Sequence, residues 1–177
     1  MRLFVAAEVP DEVRDAVAAI ERPEGDDVRW SEPGSWHVTL RFLGEVDDAE
    51  ASLAALGRVA AAPATATVGR TPKRLGPTAV VLAVDGLDEV AAAVAVAFAG
   101  LPGDVAGEEG RRFTGHLTLG RLRRQGRWPA GGAGVLRGPV RWRVGSVALV
   151  RSHLRAGAPA RYEVLARQPL ELPAKGA

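Results

Sequence analysis

Cysteine is absent from the 177 residues. The chain can therefore build neither a disulfide framework nor a thiolate metal site, which fits a reducing compartment, and a cytoplasmic protein is expected. Long apolar runs are absent too. The longest, Val90 to Leu101, is rich in alanine and far short of the ~20 residues a membrane span needs. It reads as a buried helix, and no membrane partner is expected. The apolar start Leu3-Phe4-Val5-Ala6-Ala7 meets Glu8 too soon to be the core of a signal peptide. No G-x-S-x-G elbow, Walker-type loop or dinucleotide fingerprint occurs, so three large enzyme classes lose their signatures. Histidine is scarce, with three copies.

Acidic residues are scarce at one end. Residues 111–177 hold 14 Lys/Arg against 2 Asp/Glu, a balance of +12, whereas residues 1–110 hold 9 against 19, a balance of −10. Such a basic segment suits a polyanion; it can equally pair with the acidic remainder of the chain, and charge alone does not choose between them. Hydrophobic residues make up 47% of the chain, enough for a sizeable core at a length that suits one domain over residues 1–177.

Two of the three histidines share one setting. His37-Val38-Thr39-Leu40 and His116-Leu117-Thr118-Leu119 repeat the pattern His-x-Thr-Leu. With threonine at 7 of 177 positions, two of three histidines carrying Thr at i+2 is a chance event of roughly half a percent. On a strand, residues i and i+2 share a face. Each copy therefore presents a His and a Thr on one face and apolar residues on the other. His37, Thr39 and Arg41 are expected on the groove face of the first strand, with Val38, Leu40 and Phe42 behind. On the second, His116, Thr118 and Gly120 face the groove, Gly120 leaving room for a ligand. His153, in Arg151-Ser152-His153-Leu154, lacks the threonine and reads as a surface residue.

The remaining pattern alternates strands and helices. Strands are expected over Arg2–Val9, Val28–Trp30, Trp36–Leu43, Ala66–Val68, Ala79–Val84, Arg112–Leu122, Val140–Val150 and Arg161–Pro169. Helices are expected after Pro10-Asp11-Glu12, from Asp47-Asp48 to about Ala62, and over 88–100. Breaks or loops are expected at Gly25-Asp26-Asp27, Leu101–Gly110, Gln125–Gly134 and Arg155–Pro159, with a frayed tail after Pro173. The fold class is α+β, in two similar halves with helices covering the outside of a sheet. His37 and His116 lie 79 residues apart, close to half the chain, as one motif per duplicated unit would place them.

Two imidazoles can serve as a general acid and a general base near neutral pH. Opening a cyclic phosphodiester suits them: one takes a proton from the attacking water, the other protonates the departing oxygen. Threonine hydroxyls and a nearby arginine can hold the phosphate oxygens. A zinc site would need further ligands beside the histidines, and the second motif has none near it in sequence. No metal and no cofactor are expected.

The tandem motif resembles the 2H phosphoesterase superfamily, and more closely the RNA 2′,3′-cyclic phosphodiesterases, also called 2′-5′ RNA ligases. The likeness runs from Met1-Arg2-Leu3-Phe4-Val5-Ala6 through Val28-Arg29-Trp30 and His37 to Glu45. It includes Phe113 to Arg121, and ends with Val147 to Ser152 and Tyr162-Glu163-Val164-Leu165. The resemblance implies two similar lobes related by a pseudo-two-fold, with antiparallel sheets lining a central cleft and helices outside. It also implies that His37 is the proton donor to the leaving 3′ oxygen and His116 the proton acceptor that activates water. Thr39, Thr118 and Arg121 would bind the phosphate, and the product would be a 2′-phosphomonoester. Members also join tRNA half-molecules through a 2′-5′ linkage without ATP. Partners would be RNA ends or small cyclic nucleotides, bound by a monomer. Simple alternation puts Arg121 on the core face, so a bulge is required there. Where the family usually has Pro before the second histidine, this chain has Gly115, which is expected to loosen the approach to His116. The segment Arg70 to Thr78 matches weakly. Other cyclic phosphates, 2′-5′ oligonucleotides and a non-catalytic RNA-binding role are the alternative readings.

Overall fold

A computed structural model describes residues 1–23, 27–101, 113–123, 126–128, 133–154 and 160–171. The break at Gly25-Asp26, the loop after Leu101, the first residue of the Arg112 strand, half of the 125–134 loop, the Arg155–Pro159 turn and the tail after Pro173 lie outside those residues.

In chain order the elements are β1 (Arg2–Glu8), α1 (Asp11–Ala18), β2 (Val28–Trp30), β3 (His37–Glu45), α2 (Glu50–Leu56), β4 (Ala64–Val68) and β5 (Lys73–Leu75). They continue with β6 (Ala79–Asp85), α3 (Asp88–Ala97), β7 (His116–Leu122), β8 (Val140–Val144), β9 (Ser146–His153) and β10 (Arg161–Pro169). The strands form one antiparallel sheet in the order β10-β9-β1-β3-β7-β6-β4-β8, with β2 added on β7 and β5 on β6. The two motif strands, β3 and β7, are the central pair, with three strands outward from each. That arrangement is the expected α+β pseudo-two-fold.

The halves are not sequence halves. One contains β1 and β3 with the C-terminal β9 and β10; the other contains β4, β6, β7 and β8. The single long strand expected over Val140–Val150 is therefore two strands. Gly145 separates them, β8 pairing with β4 and β9 with β1. The chain crosses from one half of the sheet to the other at this residue. Helix α2 also ends at Leu56, well before Ala62, with Gly57 as its C-cap. Strand β5 was not anticipated, being a short polar edge piece without a periodic signal.

One face of the sheet and the helices enclose the main core. Val13 and Val17 of α1, Leu56 of α2 and Val90 and Val94 of α3 pack with Leu3, Val5, Val38, Leu82 and Leu117 from the strands. Acids in the first turns of α1 and α3 complement the helix dipoles. The opposite face carries a second, small cluster of Phe4, Ala6, Ala148 and Val150, and it is on this face that the motif histidines stand.

Candidate functional site

The site is built on a single backbone pairing. Val38 lies opposite Leu117 in the antiparallel β3–β7 ladder, and both side chains are fully buried in the main core. The residues on either side must point the other way. The same register sets His37 across from Thr118 and Thr39 across from His116. All four are partly buried. Each histidine thus neighbours the hydroxyl of the other motif, and the two imidazoles are close enough that charge on His116 disfavours charge on His37.

Both rings are anchored alike. His37 Nδ1 lies 2.8 Å from the Ser35 carbonyl oxygen, and His116 Nδ1 lies 2.8 Å from that of Thr114. A carbonyl only accepts, so each Nδ1 carries the hydrogen and donates. That fixes the tautomer and leaves Nε2 of both rings as the nitrogen that can take or give a proton.

The surroundings of His37 are aromatic. Phe4 lies face-on to it, with ring centroids 4.7 Å apart and planes 30° apart; Tyr162 meets it edge-on at 4.9 Å. Tyr162 also packs edge-on against Phe4 at 5.4 Å. Burial among these rings pushes the His37 pKa below its ordinary value; the Ser35 carbonyl opposes the shift and His116 adds to it. The Tyr162 phenol is pushed up by burial, against the pull of Arg121 and then Arg2.

Bulges decide which further residues reach the groove. The β1–β3 register skips Leu40 and again Leu43. In the other half, the β6–β7 register skips Leu119. The leucine of each motif is therefore a bulge residue, and alternation restarts after it. Two expectations change as a result. Phe42, not Arg41, shares the groove face with Thr39: Phe42 is paired with Phe4 and 38% exposed, whereas Arg41 is paired with the core residue Val5. Gly120 turns into the interior instead of opening the groove. A Cβ there would stand 2.7 Å from the Arg29 carbonyl oxygen, because β2 runs directly over it. The bulge that Arg121 required is present, and Arg121 is exposed and close to Tyr162.

Gly115 is not a loose joint. A Cβ on it would stand 2.2 Å from the Val84 carbonyl oxygen, while its own carbonyl accepts from Val84 N at 2.9 Å. Close packing against β6 fixes the approach to His116, and only glycine fits. His153 lies outside the groove, with Nε2 2.8 Å from Glu163 on the surface. Among the described residues no three His, Cys, Asp or Glu side chains gather as a metal site, and no helix is long and apolar enough to cross a membrane.

Tyr162 and Arg29 are the residues that motif reasoning left without a role. Arg29 is the cross-strand partner of Arg121, so two cations stand side by side. Directly opposed like charges destabilise a ladder, an arrangement that a bound anion relieves. The strand pattern of Arg161–Pro169 does place Tyr162 and Val164 on one face, but only the β9–β10 register identifies that face as the groove.

Residues 3–72 match the family model described as LigT like phosphoesterase. Over nearly the whole chain the fold matches TT0787 of Thermus thermophilus, at 27% identity and a TM-score of 0.71, covering 97% of this chain and 99% of that one. Escherichia coli LigT complexed with 3′-AMP matches at 26% identity and a TM-score of 0.73, covering 96% and 98%. The same protein complexed with phosphate matches at 26% and 0.70, covering 96% and 97%. Comparison with curated proteins gives no match.

Proposed function

We propose that the chain, which is similar to the LigT-like phosphoesterases in residues 3–72 and in its fold, opens 2′,3′-cyclic phosphodiesters at RNA ends. The product is a 2′-phosphomonoester. The observation that carries this reading is the mirrored pair of anchors, Nδ1–H of His37 on Ser35 and of His116 on Thr114. They aim two Nε2 atoms from the central strands at one space, each beside the other motif's threonine. That E. coli LigT takes up 3′-AMP and phosphate supports a nucleotide phosphate as the occupant.

In this mechanism His116 Nε2 takes a proton from water as the water oxygen bonds to phosphorus. The bond from phosphorus to O3′ breaks, and His37 Nε2–H gives its proton to that oxygen. The 2′ ester remains, with a free 3′ hydroxyl. The histidines end with their protonation exchanged and reset through solvent. Thr39, Thr118 and Arg121 hold the non-bridging oxygens as charge builds on them. The mutual repulsion of the imidazoles favours a single proton on the pair, the state that acid–base catalysis needs. Burial makes protonated His37 the readier donor. With the 5′ hydroxyl of a second RNA in place of water, the same steps form a 2′-5′ linkage.

The test is turnover of an RNA ending in a 2′,3′-cyclic phosphate, in EDTA, with the product phosphate located by mass and alkaline mapping. A 2′-phosphate is expected. Undiminished turnover in both His37→Ala and His116→Ala would overturn the proposal.

A further inference from the structure

The groove does not end at the histidines. Along β1, Arg2, Phe4 and Ala6 alternate onto the groove face. Across the sheet Arg2 is in register with Ser152 of β9, which is in register with Tyr162 of β10; Phe4 is in register with Phe42 of β3. Paired residues share a face. The order along this face is therefore the catalytic His37, then an aromatic patch of Tyr162, Phe4 and Phe42, then the guanidinium of Arg2. Phe4 and Phe42 lie 6.2 Å apart, centroid to centroid. Tyr162 is 40% exposed and Phe42 38%, although the chain holds only nine aromatic residues and has an ample core in which to bury them. Exposed rings beside a catalytic group are suited to stacking a base.

Arg2 is exposed. It borders a hollow of about 270 Å³ lined also by Glu45, Arg151, Ser152 and His153. The two acids nearest this end are already engaged, Glu45 by the terminal ammonium at 3.5 Å and Glu163 by His153 at 2.8 Å. Arg2 is in register with Glu45 of β3, but among the described residues its guanidinium forms no ion pair with a carboxylate. Its charge nevertheless reaches the Tyr162 hydroxyl, as does that of Arg121 from the catalytic side. The aromatic patch thus lies between two cations, one at the reacting phosphate and one beyond it.

We infer that Arg2 is a second phosphate subsite: the terminal base stacks on Tyr162 and Phe42, and the phosphodiester on its 5′ side is received by Arg2. This rests on the cyclic phosphodiesterase reading and narrows its substrate class. The preferred substrate is an oligonucleotide end, not a free cyclic mononucleotide with a 5′ hydroxyl.

The experiment compares kcat/KM for adenosine 2′,3′-cyclic phosphate and for the dinucleotide ApA bearing the same cyclic end. The dinucleotide is expected to be favoured about tenfold, mostly through KM, as one charged contact allows. Its kcat/KM should also fall more steeply with salt, by about 0.7 in the log–log slope for one added phosphate contact. In Arg2→Gln both the preference and the extra salt slope should collapse toward those of the mononucleotide. Equal kcat/KM in the parent enzyme, or an Arg2→Gln variant that keeps the preference, overturns the subsite and leaves the phosphodiesterase reading standing. Failure to open either compound overturns both.

Discussion

His37 lies face-on to Phe4, ring centroid to ring centroid 4.7 Å, and this contact, with Tyr162 at the ring's edge, distinguishes the first motif from the second. Burial is the largest cause of the lowered His37 pKa. Phe4→Leu admits water to one face of the imidazole and keeps the site apolar. The His37 pKa should rise toward 6.5, at a stability cost of about 1–2 kcal/mol. An NMR titration of the ring proton reads the shift. With His37 as donor, the alkaline limb of the pH–rate profile moves up with it. Movement of the acid limb instead would assign His37 as the base.

The cross-strand arrangement of His37 with Thr118 and of Thr39 with His116 makes the four residues one unit. Loss of either histidine should lower kcat by ~10²–10⁴. The double variant should fall little further, because neither proton transfer works without the other. Thr39→Val and Thr118→Val each remove a hydroxyl while keeping the β-branched shape. Each should lower kcat/KM about tenfold, the scale of one hydrogen bond to a charged oxygen. Steady-state kinetics on a cyclic-phosphate RNA decide it; additive histidine effects would show that the two act independently.

Period-two alternation within four residues was enough to place His37, Thr39, His116 and Thr118 on one face, because Val38 and Leu117 between them have no alternative to the core. Alternation failed one step later. Leu40 and Leu119 are bulge residues in both strands, and a bulge depends on what the neighbouring strand presents, which a single strand's pattern does not record. Phe42, Arg41 and Gly120 were misplaced for that one reason. The split of Val140–Val150 at Gly145 was hidden similarly: both pieces alternate, and only their different partners, β4 and β1, separate them. Tyr162 gained its place from a register between strands near the C-terminal end and a motif more than a hundred residues away.

Acid should weaken the fold in two stages. The folded protein holds His37 below 6.5, so the unfolded chain binds the extra proton first. Stability from this source is complete above 6.5 and is lost as pH falls toward the folded value. Glu8 is held below 4.5, chiefly by its two hydrogen bonds from Arg167, at 2.6 and 2.8 Å. Its contribution is present above 4.5 and is lost as pH falls through the lower folded value. Urea unfolding across pH 7.5 to 3 should show both stages. His37→Gln should flatten the first and Arg167→Ala the second. A parent profile flat between pH 7 and 5 would contradict the first assignment, and an unchanged acid slope in Arg167→Ala the second.

Restoring proline before the second histidine should harm the enzyme. The Cβ of any residue at position 115 meets the Val84 carbonyl oxygen at 2.2 Å, a backbone atom inside the β6–β7 pairing that cannot swing aside. Gly115→Ala and Gly115→Pro must therefore push β7 away from β6 at the point where His116 enters the groove. The overpacking should cost about 1–3 kcal/mol in urea unfolding. The displacement should also weaken the His116 Nδ1 bond to Thr114 that sets the tautomer, so kcat should fall more than KM rises. Gly120→Ala is the internal comparison. Its Cβ meets the Arg29 carbonyl oxygen at 2.7 Å, on the other side of β7, and should strain the β2 pairing beside Arg121 instead. If Gly115→Pro is as stable and as active as the parent, the close contact with Val84 does not set the aim of His116.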